Sequence, residues 1–491
     1  MEIKFSEYSE SLFYETESRN LDRKTIELTG ISGSHLMGFA ALSIYQKYEK
    51  KFTQYDTIQI LCGSGNNGGD GLALAFFLIQ AGKSPQVYLK EGKLSEESLY
   101  YKGLFLKTGG TIFSLETYSP TESGEKILIV DALLGTGFQP PLKNPYDTVV
   151  STIQKQKSRN PERIFILSID TVSGFTEESK LPFEPNALAE IGMKKWRNRF
   201  LTETVSKTFH KIGFPIGKNP QENRDLNTGK ILWKQIPKTV LKKCLKREND
   251  SHKYKNGAAL LIGGSEGMSG AVISSLLAFH QLGGGISLLL TPSEKTVRSV
   301  LKRDPSLMID QLGETSKILA RPFVKKASVI LIGPGLKTEE CPVVDLPEEK
   351  NAILDAGAIL AYKNHVLHDR VLFTPHTGEL EVLLETKIHS VEQGISLCIK
   401  YSQKHRVNIL WKRHSSFLID PQGSIFLWNK PEPKLAVMGT GDLLAGILAF
   451  FLSRGFAIPE AVQLSHSLLT RAARKIDGFS TATKIRKRLI L

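Results

Sequence analysis

The sequence predicts an α/β protein of two unequal domains, and three observations carry that prediction. Short, continuously apolar, β-branched runs recur along the chain; several are followed by a Gly-rich turn and a helix-like segment; and this cycle occurs twice in 491 residues. That length accommodates two to four packed domains. Composition agrees: 41% hydrophobic and 23% charged residues exclude a collagenous, coiled-coil or wholly disordered chain.

The strand-like runs of the first cycle are 57–62 (TIQILC), 126–130 (KILIV) and 164–169 (IFILSI). Those of the second are 258–262 (AALLI), 329–332 (VILI), 352–354 (AIL), 371–373, 409–411 and 416–419. The segment 213–237 is rich in Pro, Gly and Asn and lacks apolar periodicity, so the division falls there, giving domains 1–225 and 226–491. The ten-residue run 443–452 (LLAGILAFFL) is too short to span a bilayer and reads as a buried helix. The N-terminus, MEIKFSEYSE, lacks the pattern of a signal or transit peptide, and a cytoplasmic protein without a membrane partner is expected. Cys62, Cys244, Cys341 and Cys398 are too widely spaced for a metal set or dense disulfide framework, which suggests a reducing compartment.

After TIQILC comes Gly63-Ser64-Gly65-Asn66-Asn67-Gly68-Gly69-Asp70-Gly71, then an apolar helix-like run at 72–79. Glycines at a strand-to-helix turn let backbone N–H groups reach an anion, and the helix N-terminus adds partial positive charge. A tight turn alone serves packing too. Two amides and a carboxylate within five positions exceed what such a turn needs. Asp131 precedes Gly135-Thr136-Gly137, and Asp170 precedes Ser173-Gly174, each at the carboxyl end of an apolar strand. An aspartate there is often only a helix cap, but three such junctions meet at the edge where open α/β sheets bind ligands.

GSGNNGGDG, VDALLGTG and SIDTVSG, in that order, resemble the N-terminal domain of NAD(P)H-hydrate epimerases, a Rossmann-like fold. The resemblance implies interconversion of R and S NAD(P)H hydrate, assisted by potassium. It implies that Asn66, Asn67, Gly68, Gly69, Asp70, Gly135, Thr136, Gly137 and Asp170 contact substrate, with Asp170 catalytic. Asn67, Asp131 and Ser173 would hold the potassium, and their oxygen donors suit a hard cation. The chain departs from the family pattern in three places: LMGFAA at 36–41 replaces LMENAG, Val172 replaces a proline, and 183–200 follows only loosely.

The second half carries SHKYKNG at 251–257, GGSEGMSGA at 263–271, Gly333-Pro334-Gly335, DAGA at 355–358, Thr374-Pro375-His376-Thr377-Gly378-Glu379 and Gly439-Thr440-Gly441-Asp442. Backbone N–H groups of Gly439, Thr440 and Gly441 at a helix N-terminus can cradle a transferring phosphoryl group, and Asp442 can accept the proton of an attacking hydroxyl. A helix start with Asp in its first turn needs no chemistry, but five loop motifs in register do.

This set resembles the ADP- or ATP-dependent NAD(P)H-hydrate dehydratases of the ribokinase-like superfamily. The resemblance implies nucleotide-driven dehydration of S hydrate, with Asp442 catalytic and Ala271, Gly335, His376 and Asp442 at the substrate. It places Lys412, Arg413, His414, Ser415, Ser416, Gly439, Thr440 and Gly441 at the adenine nucleotide, accompanied by magnesium. Departures are Trp411-Lys412-Arg413-His414 for LKGA, DAGAI for DADAL, and Lys337 after GPGL.

The expected protein is therefore a bifunctional repair enzyme. The alternative is a ribokinase-like small-molecule kinase with a non-catalytic Rossmann-like binding module. The formal charge of +14 concentrates in 238–255 and 470–491, at +5 and +6. Neither stretch interleaves aromatics, so no nucleic-acid partner is expected. The first stretch is expected near the dehydratase entrance. Whether copies of the chain associate is left open.

Overall fold

The computed structural model describes residues 3–119, 124–176, 179–202, 204–214 and 229–490. Two compact units emerge, 11–218 and 219–491, and residues 1–10 join the second. The sequence placed that leading segment with the first domain. Its boundary at 225 lies outside the described residues.

A short first strand, β1 (Ser9–Ser11), precedes the strands of the N-terminal unit. These are β2 (Thr57–Cys62), β3 (Gln86–Leu89), β4 (Ile112–Ser114), β5 (Ile127–Ala132), β6 (Ile164–Ile169), β7 (Ala187–Ile191) and β8 (Ser206–His210). They form one sheet in the order β4-β3-β2-β5-β6-β7-β8 with every pair parallel. β5 is wholly buried, and β2 and β6 nearly so. That is why the sequence shows them as unbroken apolar runs. The direction of strand progression reverses between β2 and β5, which opens a crevice at their carboxyl ends. Helix Asn66–Gln80 packs close above it: a Cβ at Gly71 would lie 2.8 Å from both Cys62 Sγ and Ala132 Cβ.

The C-terminal unit adds β9 (Lys230–Trp233), β10 (Ala258–Ile262), β11 (Ile286–Thr291), β12 (Met308–Gln311), β13 (Val329–Ile332), β14 (Asn351–Leu354), β15 (Val371–Phe373), β16 (Asn408–Trp411), β17 (Ser416–Ile419) and β18 (Ile425–Trp428). Its sheet runs β1-β9-β18-β17-β16-β15-β14-β13-β10-β11-β12, parallel from β16 through β12 and antiparallel at β16/β17 and β17/β18. The reversal here lies between β10 and β13. Part of 213–237, read as connecting chain, is thus a paired strand: β9 bonds to β18. Alongside it, the Tyr8 carbonyl accepts from Lys234 N at 2.8 Å and Gln463 Nε2 at 2.6 Å, tying residues before 11 into this unit.

The apolar run at 443–452 lies in helix Thr440–Ser453, buried from Leu443 onward, and belongs to the main core of the unit. It packs against helix Ser269–Gln281 so closely that a Cβ on Gly446 would stand 2.2 Å from the Ser275 carbonyl oxygen. No described helix is long and apolar enough to cross a membrane. All four cysteines are free thiols.

Candidate functional site

Each unit gathers its chemistry at the carboxyl edge of its sheet. In the N-terminal unit a cavity of about 450 Å³ is lined by Asn66, Asn67, Asp70, Gly135, Thr136, Gly137 and Asp170. The sequence expected all seven there. Gly68 and Gly69 do not line it; their absent side chains let the helix start approach other protein groups. A Cβ at Gly68 would sit 1.8 Å from the Gly63 carbonyl oxygen, and one at Gly69 2.4 Å from Ser98 Oγ.

Asp131 is completely buried at the end of β5. Its carboxylate accepts from Ser168 Oγ at 2.8 Å, from Ser173 N at 3.0 Å and from Ser173 Oγ. Burial pushes its carboxyl above the ordinary range, against the opposing pull of the Ser173 and Ser168 bonds. Asn67 is buried beside Gly135 with neither its amide oxygen nor its amide nitrogen hydrogen-bonded. A buried, unpartnered amide is costly. Its oxygen, with the carboxylate and hydroxyl of Asp131 and Ser173, has the donor chemistry that fits a hard monovalent cation.

Asp170 adopts φ 65°, a left-handed conformation uncommon outside glycine. The end of β7 and the loop after it fix it. Lys195 Nζ donates to Asp170 Oδ1, Ile191 N donates to the same oxygen at 3.2 Å, and Asn198 Nδ2 donates to the Asp170 carbonyl at 2.9 Å. Both side-chain bonds fall on Oδ1, which leaves Oδ2 for a ligand. Lys195 is buried, lines the cavity, and was not singled out from sequence. It lies in the stretch 183–200 that departs from the family pattern, so no motif flagged it. The divergent LMGFAA stretch supplies Leu36, Met37 and Ala40 to the cavity wall. At Gly38 the Tyr101 hydroxyl stands 2.3 Å from where a Cβ would be, so that position has no room for a longer side chain without moving Tyr101.

In the C-terminal unit, β10, β13, β14, β15 and β16 end together. Ala271 and Gly335 meet: a Cβ on Gly335 would lie 3.0 Å from that of Ala271. His376 caps helix Thr377–Leu383, its Nδ1 accepting from Glu379 N at 3.2 Å while its own N donates to Glu379 Oε2 at 2.9 Å. Lys412 N donates to the Pro375 carbonyl at 2.8 Å, bringing the His376 loop beside Lys412.

Gly439 has φ 91° and starts helix Thr440–Ser453, with Asp442 in the first turn. The Asp442 carbonyl accepts from Ser275 Oγ at 2.8 Å, which fixes this turn to helix Ser269–Gln281. Thr440 Oγ1 is spent locally on the Leu435 and Val437 carbonyls, at 2.9 and 3.0 Å. Lys412 Nζ bonds Asp355 Oδ1 at 2.8 Å and lies 3.5 Å from where a Cβ on Gly441 would be. Asp355 Oδ1 also accepts from Thr374 Oγ1 at 2.6 Å. Burial, then the Asp355 charge, push the Asp442 carboxyl up to about 6, against the Lys412 charge. Asp355 entered the sequence reading only as part of DAGA; its signal was an aspartate at the end of an apolar strand.

The remaining residues of 412–416 have mixed surroundings. Arg413 stacks over the Trp411 ring at 4.9 Å, and burial lowers the His414 imidazole below its ordinary value. Ser415 and Ser416 are buried, their hydroxyls donating to Asn429 Oδ1 at 2.7 Å and the Arg413 carbonyl at 3.2 Å. The two basic stretches meet elsewhere. Lys242, Lys243 and Lys246 line a shallow groove with Leu489 and Ile490, among whose lining residues no predicted dehydratase residue occurs.

Residues 33–192 match the family model described as YjeF-related protein N-terminus, and 259–488 match that described as NAD(P)H-hydrate dehydratase. The chain belongs to the bifunctional NAD(P)H-hydrate repair family. A family member from Moorella thermoacetica, named bifunctional NAD(P)H-hydrate repair enzyme Nnr, is 27% identical over 89% of this chain and 87% of its own. A protein of the same name from Coxiella burnetii is 27% identical over 95% and 96%. Among solved structures, the ADP/ATP-dependent NAD(P)H-hydrate dehydratase from Bacillus subtilis co-crystallised with ATP and Mg2+ is similar at 23% identity, over 52% of this chain and 96% of that one, with a TM-score of 0.43. Both units are α/β with a largely parallel sheet, the class the sequence predicts, and the two matched families follow in the expected order.

Proposed function

We propose that the C-terminal unit dehydrates S NAD(P)H hydrate to NAD(P)H at the expense of ADP or ATP, while the N-terminal unit interconverts the R and S hydrates. The observation that carries the reading is Asp442, half-buried at a glycine-led helix start beside the Asp355–Lys412 pair, with its carboxyl raised to about 6. A base with that midpoint is ionised at neutral pH yet retains affinity for a proton.

Asp442 takes the proton of the hydrate hydroxyl as its oxygen attacks the terminal phosphorus of the nucleotide. The N–H groups of Gly439, Thr440 and Gly441 stabilise the transferring phosphoryl oxygens. The phosphate ester then breaks at its carbon–oxygen bond and inorganic phosphate leaves, the adjacent carbon gives a proton to water, and the double bond of the dihydronicotinamide returns. Ala271, Gly335 and His376 hold the hydrate, and the segment from Lys412 through Ser416 lies toward the nucleotide. Magnesium would accompany the nucleotide phosphates.

In the N-terminal unit, Asn66, Asn67, Asp70, the Gly135-Thr136-Gly137 turn and Asp170 would hold the hydrate in the cavity. Asn67, Asp131 and Ser173 would hold potassium, which would supply positive charge for orienting substrate oxygens. Fusing the units is chemically sensible, since a dehydratase that consumes one epimer clears both only if they equilibrate. Four free thiols suit a cytoplasmic setting.

The test is Asp442→Asn in the full chain. It abolishes nucleotide-dependent recovery of NADH from its hydrate and spares epimer exchange; undiminished recovery removes Asp442 from the mechanism. Accumulation of a phosphorylated product with stoichiometric nucleotide use would instead identify a small-molecule kinase.

A further inference from the structure

We infer that Lys195 is the proton donor and acceptor of epimerisation, working at the hydrate hydroxyl with Asp170 as its counter-ion. The inference rests on the epimerase reading above. An ammonium has three N–H donors. One from Lys195 goes to Asp170 Oδ1 and one to the Ile191 carbonyl at 2.6 Å, while the group lines the cavity that holds the substrate-facing residues. The third donor is left for a ligand.

The surroundings are built to hold this lysine. Its side chain is 3% exposed, and its backbone N donates to Glu190 Oε1 at 2.6 Å. That carboxylate oxygen also accepts from Asn198 Nδ2 at 3.0 Å, and Glu190 Oε2 accepts from Arg199. Asp170 and Lys195 are thus clamped from one loop, with Asp170 kept in its left-handed conformation. Such constraint on ionised side chains at a cavity wall is what positioned proton transfer requires.

Hydration of an enamine double bond puts the hydroxyl on the carbon next to the ring nitrogen, so inversion there needs only that carbon–oxygen bond to break and re-form. The ring nitrogen lone pair forms a carbon–nitrogen double bond, and the carbon–oxygen pair leaves with oxygen. The Lys195 ammonium gives that oxygen a proton, releasing water and leaving a neutral amine. The Asp170 carboxylate balances the iminium cation. Water adds to the opposite face, its proton returns to Lys195, and the nitrogen lone pair is restored. No other reactant is consumed.

The experiment follows R and S hydrate by NMR in ¹⁸O-labelled water with the full-length protein, wild type beside Lys195→Met and Lys195→Ala, while dispersion of the N-terminal unit's amide signals reports its fold and dehydration of S hydrate reports that of the C-terminal unit. Wild type exchanges epimers and gains label at matching rates. Lys195→Met loses both at least 100-fold with dispersion and dehydration unchanged, and Lys195→Ala regains epimerisation when methylammonium is added, which a merely structural lysine would not allow. Epimerisation without label, or a Lys195→Met rate within tenfold of wild type, overturns the inference alone. A wild type that never epimerises overturns it together with the epimerase reading.

Discussion

The pH dependence of dehydration tests the dehydratase site most sharply, because it is set by burial and then by two identified charged neighbours. Asp442 must be ionised to accept the hydroxyl proton, and its midpoint is about 6 against an ordinary 3.8. The rate therefore rises with pH, and at pH 5 it stands roughly tenfold below its plateau. Asp355→Asn removes the carboxylate that ranks behind burial in raising that midpoint, and releases Lys412 to attract the Asp442 carboxylate more strongly. Both effects act downward. The acid limb should fall on the order of one pH unit, since a raise of about two units is shared between burial and charge. Lys412→Met removes the opposing cation and should move the limb upward. The assay is NADH recovery from S hydrate at saturating nucleotide between pH 4.5 and 8, read as kcat/KM. A wild-type limb near 4, or an Asp355→Asn limb displaced to higher pH, refutes the electrostatic account.

The other predictions concern potassium, packing and acid stability. Asn67→Ala removes the orphaned amide oxygen and should reduce the difference in epimerisation rate between potassium- and lithium-containing buffer, read by NMR exchange. Gly446→Ala drives a Cβ against the Ser275 carbonyl and should cost about 1–3 kcal/mol in urea unfolding while lowering dehydration, because the same helix contact holds the Asp442 turn. His466 is buried against Trp428, and burial lowers its imidazole to about 4. The unfolded chain protonates first, so this contribution to stability is present above about 6.5 and is lost as pH falls toward 4; from pH 7 to 5 the loss is about 2 kcal/mol. His466→Phe should flatten that dependence in urea melts recorded at the two values.

The sequence made the central strands legible because they are buried on both faces and read as unbroken apolar runs. β11 and β18 were missed although largely buried, and β1, β3, β4, β8 and β12 were missed as well. The latter lie at or toward the sheet edges, with shorter runs and exposed or intermediate side chains. β7 was missed although wholly buried, since the small and charged residues in ALAEI hide its apolar character. The glycine turns were legible as sites because local spacing makes them. Lys195 and Asp355 were not picked out: their importance comes from partners 25 residues away in Asp170 and 57 away in Lys412, pairs that only the folded sheet brings together.

Those two pairs follow one construction. Each unit ends an apolar strand in an aspartate, holds it with a lysine carried from later in the chain, and sets the pair at the carboxyl edge of a parallel sheet. In both, the residue at the turn is strained: Asp170 itself has φ 65°, and Ala356, next to Asp355, has φ 48°. Ala356 has little choice, because a Cβ on Gly333 would lie 1.7 Å from the Asp355 carbonyl oxygen and one on Gly357 2.2 Å from that of Leu336. Buried pairs of this kind contribute little net stability, yet removing one partner strands the other charge at a cost of several kcal/mol. A bare loss of rate on deleting an aspartate or a lysine would therefore confuse misfolding with lost chemistry. The isosteric Asp355→Asn and the rescue of Lys195→Ala by an added amine separate the two, since a limb that moves or a rate that returns requires a folded site.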